Sequence, residues 1–260
     1  MKIVKYNSYK ESKKAIVTRA KDGYDLAQIT HPILMDYAKR CQADFIVINE
    51  EKMNLGHFSY EIFQLYQIFD TYERVIVIDS DTIIAPDCPN LFDVVPYDCI
   101  GTIYEDKFSR KKDRKNRIRL VQEKFGDIGW REGYINSGVL VCSKIHKELF
   151  SYPKEEVWLG TGFDDVFLGY RIKKYKLKVF ELPYTFNHMS LFSEVGKNWL
   201  KSYIIHYAGR GFSSSRSRSE QIQRDWHILN TYHPFSLHFR RIPERLRLIA
   251  IGLYSLFPLR

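Results

Sequence analysis

The sequence predicts an α/β fold, a sheet with helices packed on both faces. Three observations carry this. Val75–Ile78 is an unbroken apolar run, as expected of a strand covered on both sides in a parallel sheet. Strand-like and helix-like stretches alternate from residue 15 to residue 81. The 260 residues hold 45% hydrophobic and 27% charged side chains, a globular balance that excludes a disordered chain, a collagen-like fibre and a coiled coil.

Taken in order, Ala15–Val17 is a first buried strand closing at Thr18-Arg19. Leu26, Ile29, Ile33, Leu34, Tyr37, Ala38 and Cys41 recur at helical spacing over residues 26–41, with Pro32 bending the helix. Phe45–Ile48 is a second strand. Ser59 caps a helix that runs to about Tyr72. Val75–Ile78 then leads straight into Asp79-Ser80-Asp81, and ligands of such sheets bind at the carboxyl ends of strands. Cys99–Ile103 is a further strand. Residues 107–124 carry nine basic and two acidic side chains; the first half reads as an exposed loop, the second as a helix. Val139–Val141 is a strand preceded by Asn136-Ser137-Gly138, and Phe163–Lys174 is a helix with Asp164 and Asp165 in its first turn. Val179–Leu182 and Tyr203–Ile205 are late strands, and residues 213–219 form a polar loop.

The chain has 40 Lys plus Arg against 31 Asp plus Glu, a net charge of +9. That balance suits nucleic acid, an anionic membrane face or a phosphorylated substrate. No recognised nucleic-acid-binding motif accompanies it, so nucleic acid is not an expected partner. None of the four cysteines forms a C-x-x-C pair, which excludes a zinc ribbon. With no apolar leader and no apolar run of membrane-spanning length, a cytoplasmic protein with reduced thiols is expected.

The chemistry is concentrated at Asp79-x-Asp81. Two carboxylates two residues apart on an extended turn can face one divalent cation, and hard oxygen ligands suit Mg²⁺ or Mn²⁺ shared with substrate phosphates. His206, just past a buried strand, offers a third, nitrogen ligand, which favours Mn²⁺.

Five segments appear in order: Val75–Ile84, Tyr134–Val141, Phe163–Gly169, Leu182–Asn187 and Ile205–Gly209. Together they resemble the GT-A glycosyltransferases, most closely the glycogenin-like family 8 group, over about residues 15–210. The resemblance implies a Rossmann-like mixed sheet flanked by helices and a nucleotide-sugar transferase, with a UDP-linked hexose as donor and a glycan or lipid-linked acceptor. It gives Asp79, Asp81 and His206 to the metal, Tyr24 to the uracil, Asn136 to the donor sugar, and Asp164 and Asp165 to the anomeric carbon. Thr18, Ser80 and Ser137, beside these residues, are expected as further donor contacts. Retention of configuration is the mode the likeness implies. The string Asp164-Asp165-Val166-x-x-Gly169 also looks like the acidic element of inverting enzymes, so both residues stay candidates. Two departures stand out: Arg210-Gly211-Phe212 replaces the family's Lys-Pro-Trp stretch, leaving Arg210 as a diphosphate contact, and no basic residue is evident in the helix before the D-x-D.

Residues 1–212 read as the catalytic domain and 213–260 as a polar linker followed by a tail. As a helix, Arg240–Arg260 is basic and amphipathic, fit for an anionic membrane surface at the cytoplasmic face, for the protein's own core, or for a homodimer interface. A sugar-1-phosphate nucleotidyltransferase is the competing activity, weakened by the lack of a Gly-rich phosphate loop near the first strand.

Overall fold

The computed structural model describes residues 1–4, 13–154 and 156–231. In chain order its elements are β1 (Lys2–Val4), β2 (Lys14–Arg19), α1 (Ala27–Arg40), β3 (Asp44–Ile48), a 3₁₀ helix (Phe58–Gln64) running into α2 (Leu65–Ile68), β4 (Arg74–Ile78), β5 (Thr82–Ile84), α3 (Leu91–Val94), β6 (Cys99–Tyr104), α4 (Lys111–Phe125), β7 (Ile135–Ser143), α5 (Phe163–Lys174), β8 (Lys178–Glu181), α6 (Ser190–Ser193), β9 (Ile204–His206) and α7 (Arg218–Thr231). The main sheet has seven strands in the order β1-β3-β2-β4-β7-β6-β8.

Every residue of β4 is buried, as its apolar run requires. It lies parallel to β2, with Ala15 opposite Val75, and antiparallel to β7, with Ile78 opposite Val139. The sheet is therefore mixed; burial on both faces fixes the composition of β4 but not the direction of its neighbours. One core face packs Leu34, Tyr37 and Ala38 of α1 over Ile16 and Ile76. The other packs Tyr60, Phe63, Phe167 and Leu168 over Val75, Val77 and Leu140.

Two segments differ from expectation. The stretch read as an exposed loop is helical from Lys111 onward, although only Ile118, Val121 and Gln122 of α4 are buried. Charge pairs one turn apart, such as Asp113–Arg117 at 2.9 Å, supply local support that apolar periodicity does not report. The helix expected after Ser59 is mostly 3₁₀, and its N-cap is His57, whose ring accepts from the Ser59 N–H. Buried Glu61 in that turn accepts the backbone N–H groups of Lys52 and Met53 and so pins the preceding loop.

A second, two-stranded sheet pairs β5 with β9, setting Thr82 opposite His206. The pairing continues as the Tyr207 N–H donates to the Asp81 carbonyl at 2.9 Å, while the Asp79 N–H donates to the Gly138 carbonyl at 2.9 Å. These bonds hold the D-x-D turn between β7 and β9. Residues 213–231 include α7, whose Ile222 and Leu229 lie in the core shared with α1. The tail helix expected at 240–260 lies outside the described residues. Among the described residues no helix is long and apolar enough to cross a membrane.

Helix α7 is tied down by the fully buried Asp225, which accepts from Tyr207 Oη and Trp199 Nε1, both at 2.8 Å. Asp225→Ala strands both donors and is expected to lower stability by about 2–4 kcal/mol in urea unfolding. Asp225→Asn, which keeps one acceptor, should recover part of that loss.

Candidate active site

The ends of β2 and β4 open on a cavity of about 450 Å³ whose walls include Arg19, Tyr24, Asp79, Asp81, Asp164 and Asp165. The turn that presents the two D-x-D aspartates is held by its middle residue. The Ser80 hydroxyl pairs with Thr18 Oγ1 at 2.7 Å and donates to the Arg19 carbonyl at 3.0 Å, while Thr30 Oγ1 donates to the Ser80 carbonyl at 2.7 Å. Thr18 is fully buried and Ser80 nearly so; both act as braces of the turn, although Ser80 also reaches the cavity wall.

Asp79, Asp81 and His206 each bring one ligand atom to within 4.8 Å of the others. His206 Nε2 lies 3.1 Å from Asp81 Oδ1 and 3.8 Å from Asp79 Oδ2. Its Nδ1 faces Asn187 Oδ1 at 2.9 Å; an N–H there donates to Asn187 and aims Nε2 at the carboxylates. Asn187 Nδ2 donates in turn to Asn136 Oδ1 at 2.8 Å, which also accepts the Gly138 N–H at 3.1 Å. Asn136 is thus a buried support behind the imidazole. A Cβ at position 138 would lie 2.3 Å from His206 Cε1, so a side chain there must displace the imidazole. Two carboxylate oxygens and one imidazole nitrogen, backed by an oriented partner, fit a hard or borderline divalent cation such as Mn²⁺.

Two arginines balance the acids. Arg19, 6% exposed in its side chain, bonds Asp79 Oδ1 at 2.9 Å and Asp164 Oδ2 at 2.8 Å. Arg218, at the start of α7, bonds Asp81 Oδ2 at 2.8 Å. The buried cation beside these acids thus comes from the end of β2, not from the helix before the D-x-D. Its only signal in the sequence is an arginine closing a predicted strand. Arg210 is exposed and does not line the cavity; its carbonyl accepts from Gln221 Nε2 at 2.9 Å. Asn187 was visible within a recognised segment without a role, and Arg218 stands in a polar run that carries no pattern.

Asp164 and Asp165 open α5, where negative charge suits the helix N-terminus. Ser137 holds both: its hydroxyl donates to Asp164 Oδ2 at 2.9 Å and its N–H to Asp165 Oδ1 at 2.7 Å. Phe163 before them has a left-handed φ of +32° and stacks on His57 with ring centroids 3.8 Å apart. That places His57, which carries no sequence signal, on the cavity wall.

Burial pushes the Asp165 carboxyl well above the carboxylate range, and the nearby acids Asp164 and Glu105 push it further. Burial pulls the His206 imidazolium down, but the Asp81 and Asp79 carboxylates outweigh it and raise its pKa to about 9. The same pairing holds Asp81 below its usual value, against its burial. At neutral pH the imidazole is therefore biased to its charged form beside Asp81.

Because the folded pKa of His206 is raised from 6.5 to about 9, its contribution to stability is complete below pH 6.5 and is lost as the pH climbs toward 9. The metal-free protein should melt at progressively lower temperature across that window. Mn²⁺ must displace the Nε2 proton, so its affinity should rise with pH by up to about tenfold per unit in calorimetric titration. Gly138→Ala should weaken Mn²⁺ roughly tenfold or more, with unchanged far-ultraviolet circular dichroism.

No protein-family model matches the sequence, and no curated protein matches it. Solved structures do. A glycosyltransferase involved in glycosylation of the major capsid of PBCV-1 is 16% identical, with TM-score 0.54, over 83% of this chain and 99% of its own. The galactosyltransferase LgtC, solved with donor and acceptor sugar analogs, is 15% identical, with TM-score 0.53, over 87% and 99%. The bifunctional glycosyltransferase WbbM is 14% identical, with TM-score 0.60, over 91% of this chain and 53% of its own. The chain has the mixed α/β GT-A fold of these glycosyltransferases.

Proposed function

We propose that this protein is a metal-dependent glycosyltransferase that moves a hexose from a UDP-linked donor to a glycan or lipid-linked acceptor, in the building of a cell-surface polysaccharide. The observation that carries the reading is the meeting of Asp79, Asp81 and His206, far apart in the chain, at the wall of a cavity that also holds Asp164 and Asp165. A divalent cation held by those three residues would supply charge neutralisation for the departing nucleoside diphosphate.

The chain's own groups do the rest. Tyr24, half-buried on the cavity wall, offers its ring to the base. Asn187 fixes the tautomer of His206. Arg19 bridges Asp79 and Asp164 and holds both in place. The two acids of α5 are not equal: Asp164 Oδ2 is taken by Arg19 and Ser137, whereas Asp165 is held through Oδ1 and its carboxyl is pushed up by burial beside Asp164 and Glu105. A carboxyl raised in this way can donate a hydrogen bond to a sugar hydroxyl or, once ionised, accept the acceptor's proton, so its role is decided by where the donor sits. Retention is favoured on the likeness of the sequence motifs to the family 8 group. The basic, amphipathic sequence of the tail supports a lipid-linked acceptor and work at the cytoplasmic face of a membrane.

A thermal-shift screen of nucleotide sugars with and without Mn²⁺ tests the donor, since a bound donor stabilises the fold by mass action. A UDP-sugar that raises the melting temperature only with Mn²⁺ is the expected result. Asp79→Asn and Asp81→Asn should each cut Mn²⁺-dependent UDP-sugar turnover by roughly a hundredfold or more while the variants stay folded. Unchanged turnover rejects the metal assignment. Pyrophosphate release from UTP and a sugar 1-phosphate would instead identify a nucleotidyltransferase.

A further inference from the structure

The start of α4 carries charge that the site does not use. Lys111, Lys112 and Lys115 are exposed and have no acidic partner among the described residues. Their basic neighbours differ: Lys107 pairs with Glu181, Arg119 with Glu123, and Lys124 with Glu156. The residue leading into this helix is Phe108, which is 49% exposed and is held at a left-handed φ of +48°. Its ring meets Phe192 edge-on at 6.2 Å, and Val195, 43% exposed, stands on the turn after α6. Between them lies a crevice of about 310 Å³ with Tyr184 and Leu182 in its wall and Lys197 at its edge.

A large ring at the surface beside unpaired lysines is out of place against water alone. Each half finds a partner in an anionic bilayer: headgroups for the lysines, the acyl boundary for the ring. We propose that this face, the start of α4 with the turn after α6, docks on anionic lipid headgroups, with Phe108 as its apolar tip and Lys111, Lys112, Lys115 and Lys197 around it. The charge complementarity selects an anionic surface; the apolar tip selects a lipid surface over a soluble polyanion. The contact is separate from the 240–260 tail and needs no donor sugar.

The test uses the full chain and vesicles of phosphatidylcholine with and without a quarter of phosphatidylglycerol. Hydrogen exchange should slow in peptides covering 107–115 and 194–198 only with anionic vesicles, and the effect should fade at high salt. The triple variant Lys111→Glu, Lys112→Glu, Lys115→Glu should weaken vesicle binding on the order of a hundredfold. Phe108→Ser should weaken it severalfold, with UDP-sugar hydrolysis in solution unchanged in both. Protection confined to the tail, or binding indifferent to the lysine variant, overturns the proposal. So does protection of the same peptides by dextran sulfate but not by vesicles, or by raised protein concentration alone.

Discussion

Four carboxylates in one cavity repel one another, and their separation is the constraint on which the rest of the site depends. Asp79, Asp81, Asp164 and Asp165 all reach the same wall. They are made tolerable in three ways. Arg19 stands between Asp79 and Asp164 and serves both. Asp81 draws on His206 and Arg218. Asp165 has no such cation among the described residues, and burial beside Asp164 and Glu105 pushes its carboxyl toward the neutral form. Neighbouring acids are thereby sorted into anchored, ligand-bearing and neutral groups by their surroundings alone.

The scaffold makes that sorting possible by limiting movement. Ser80 is bonded to Thr18, Arg19 and Thr30, so the aspartates on either side cannot swing independently. Behind the imidazole, Asn187 and Asn136 form a line of amides that ends on the backbone of Gly138. Removal of any link leaves buried polar atoms without partners, which costs more than the bond itself contributes.

Much of this was legible beforehand. Apolar runs located β2, β3, β4 and β7, and the D-x-D was found because it interrupts the most apolar of them. His206 was legible as the residue after a buried strand. What escaped notice is instructive. Arg19 looks like any arginine ending a strand, and only the fold puts it within 3 Å of two acids more than fifty residues away. Arg218 and His57 lack any periodicity, and a role that depends on three-dimensional neighbours leaves no mark in local spacing. The helical first half of α4 was missed because exposed charged residues do not advertise a buried face. Strand direction was likewise beyond reach, since β4 has the same composition whether β7 runs with it or against it.

The β5–β9 pairing joins segments more than a hundred residues apart. Closure of so long a loop is entropically slow, and long-range pairings of this kind form late in folding. A slip of one residue would turn the imidazole to the opposite side of the ribbon. Partly folded chains consequently lack the meeting of Asp79, Asp81 and His206 altogether. A cation that bound Asp79, Asp81 and His206 would meet them only in the folded chain and would act afterwards, as a latch that slows opening.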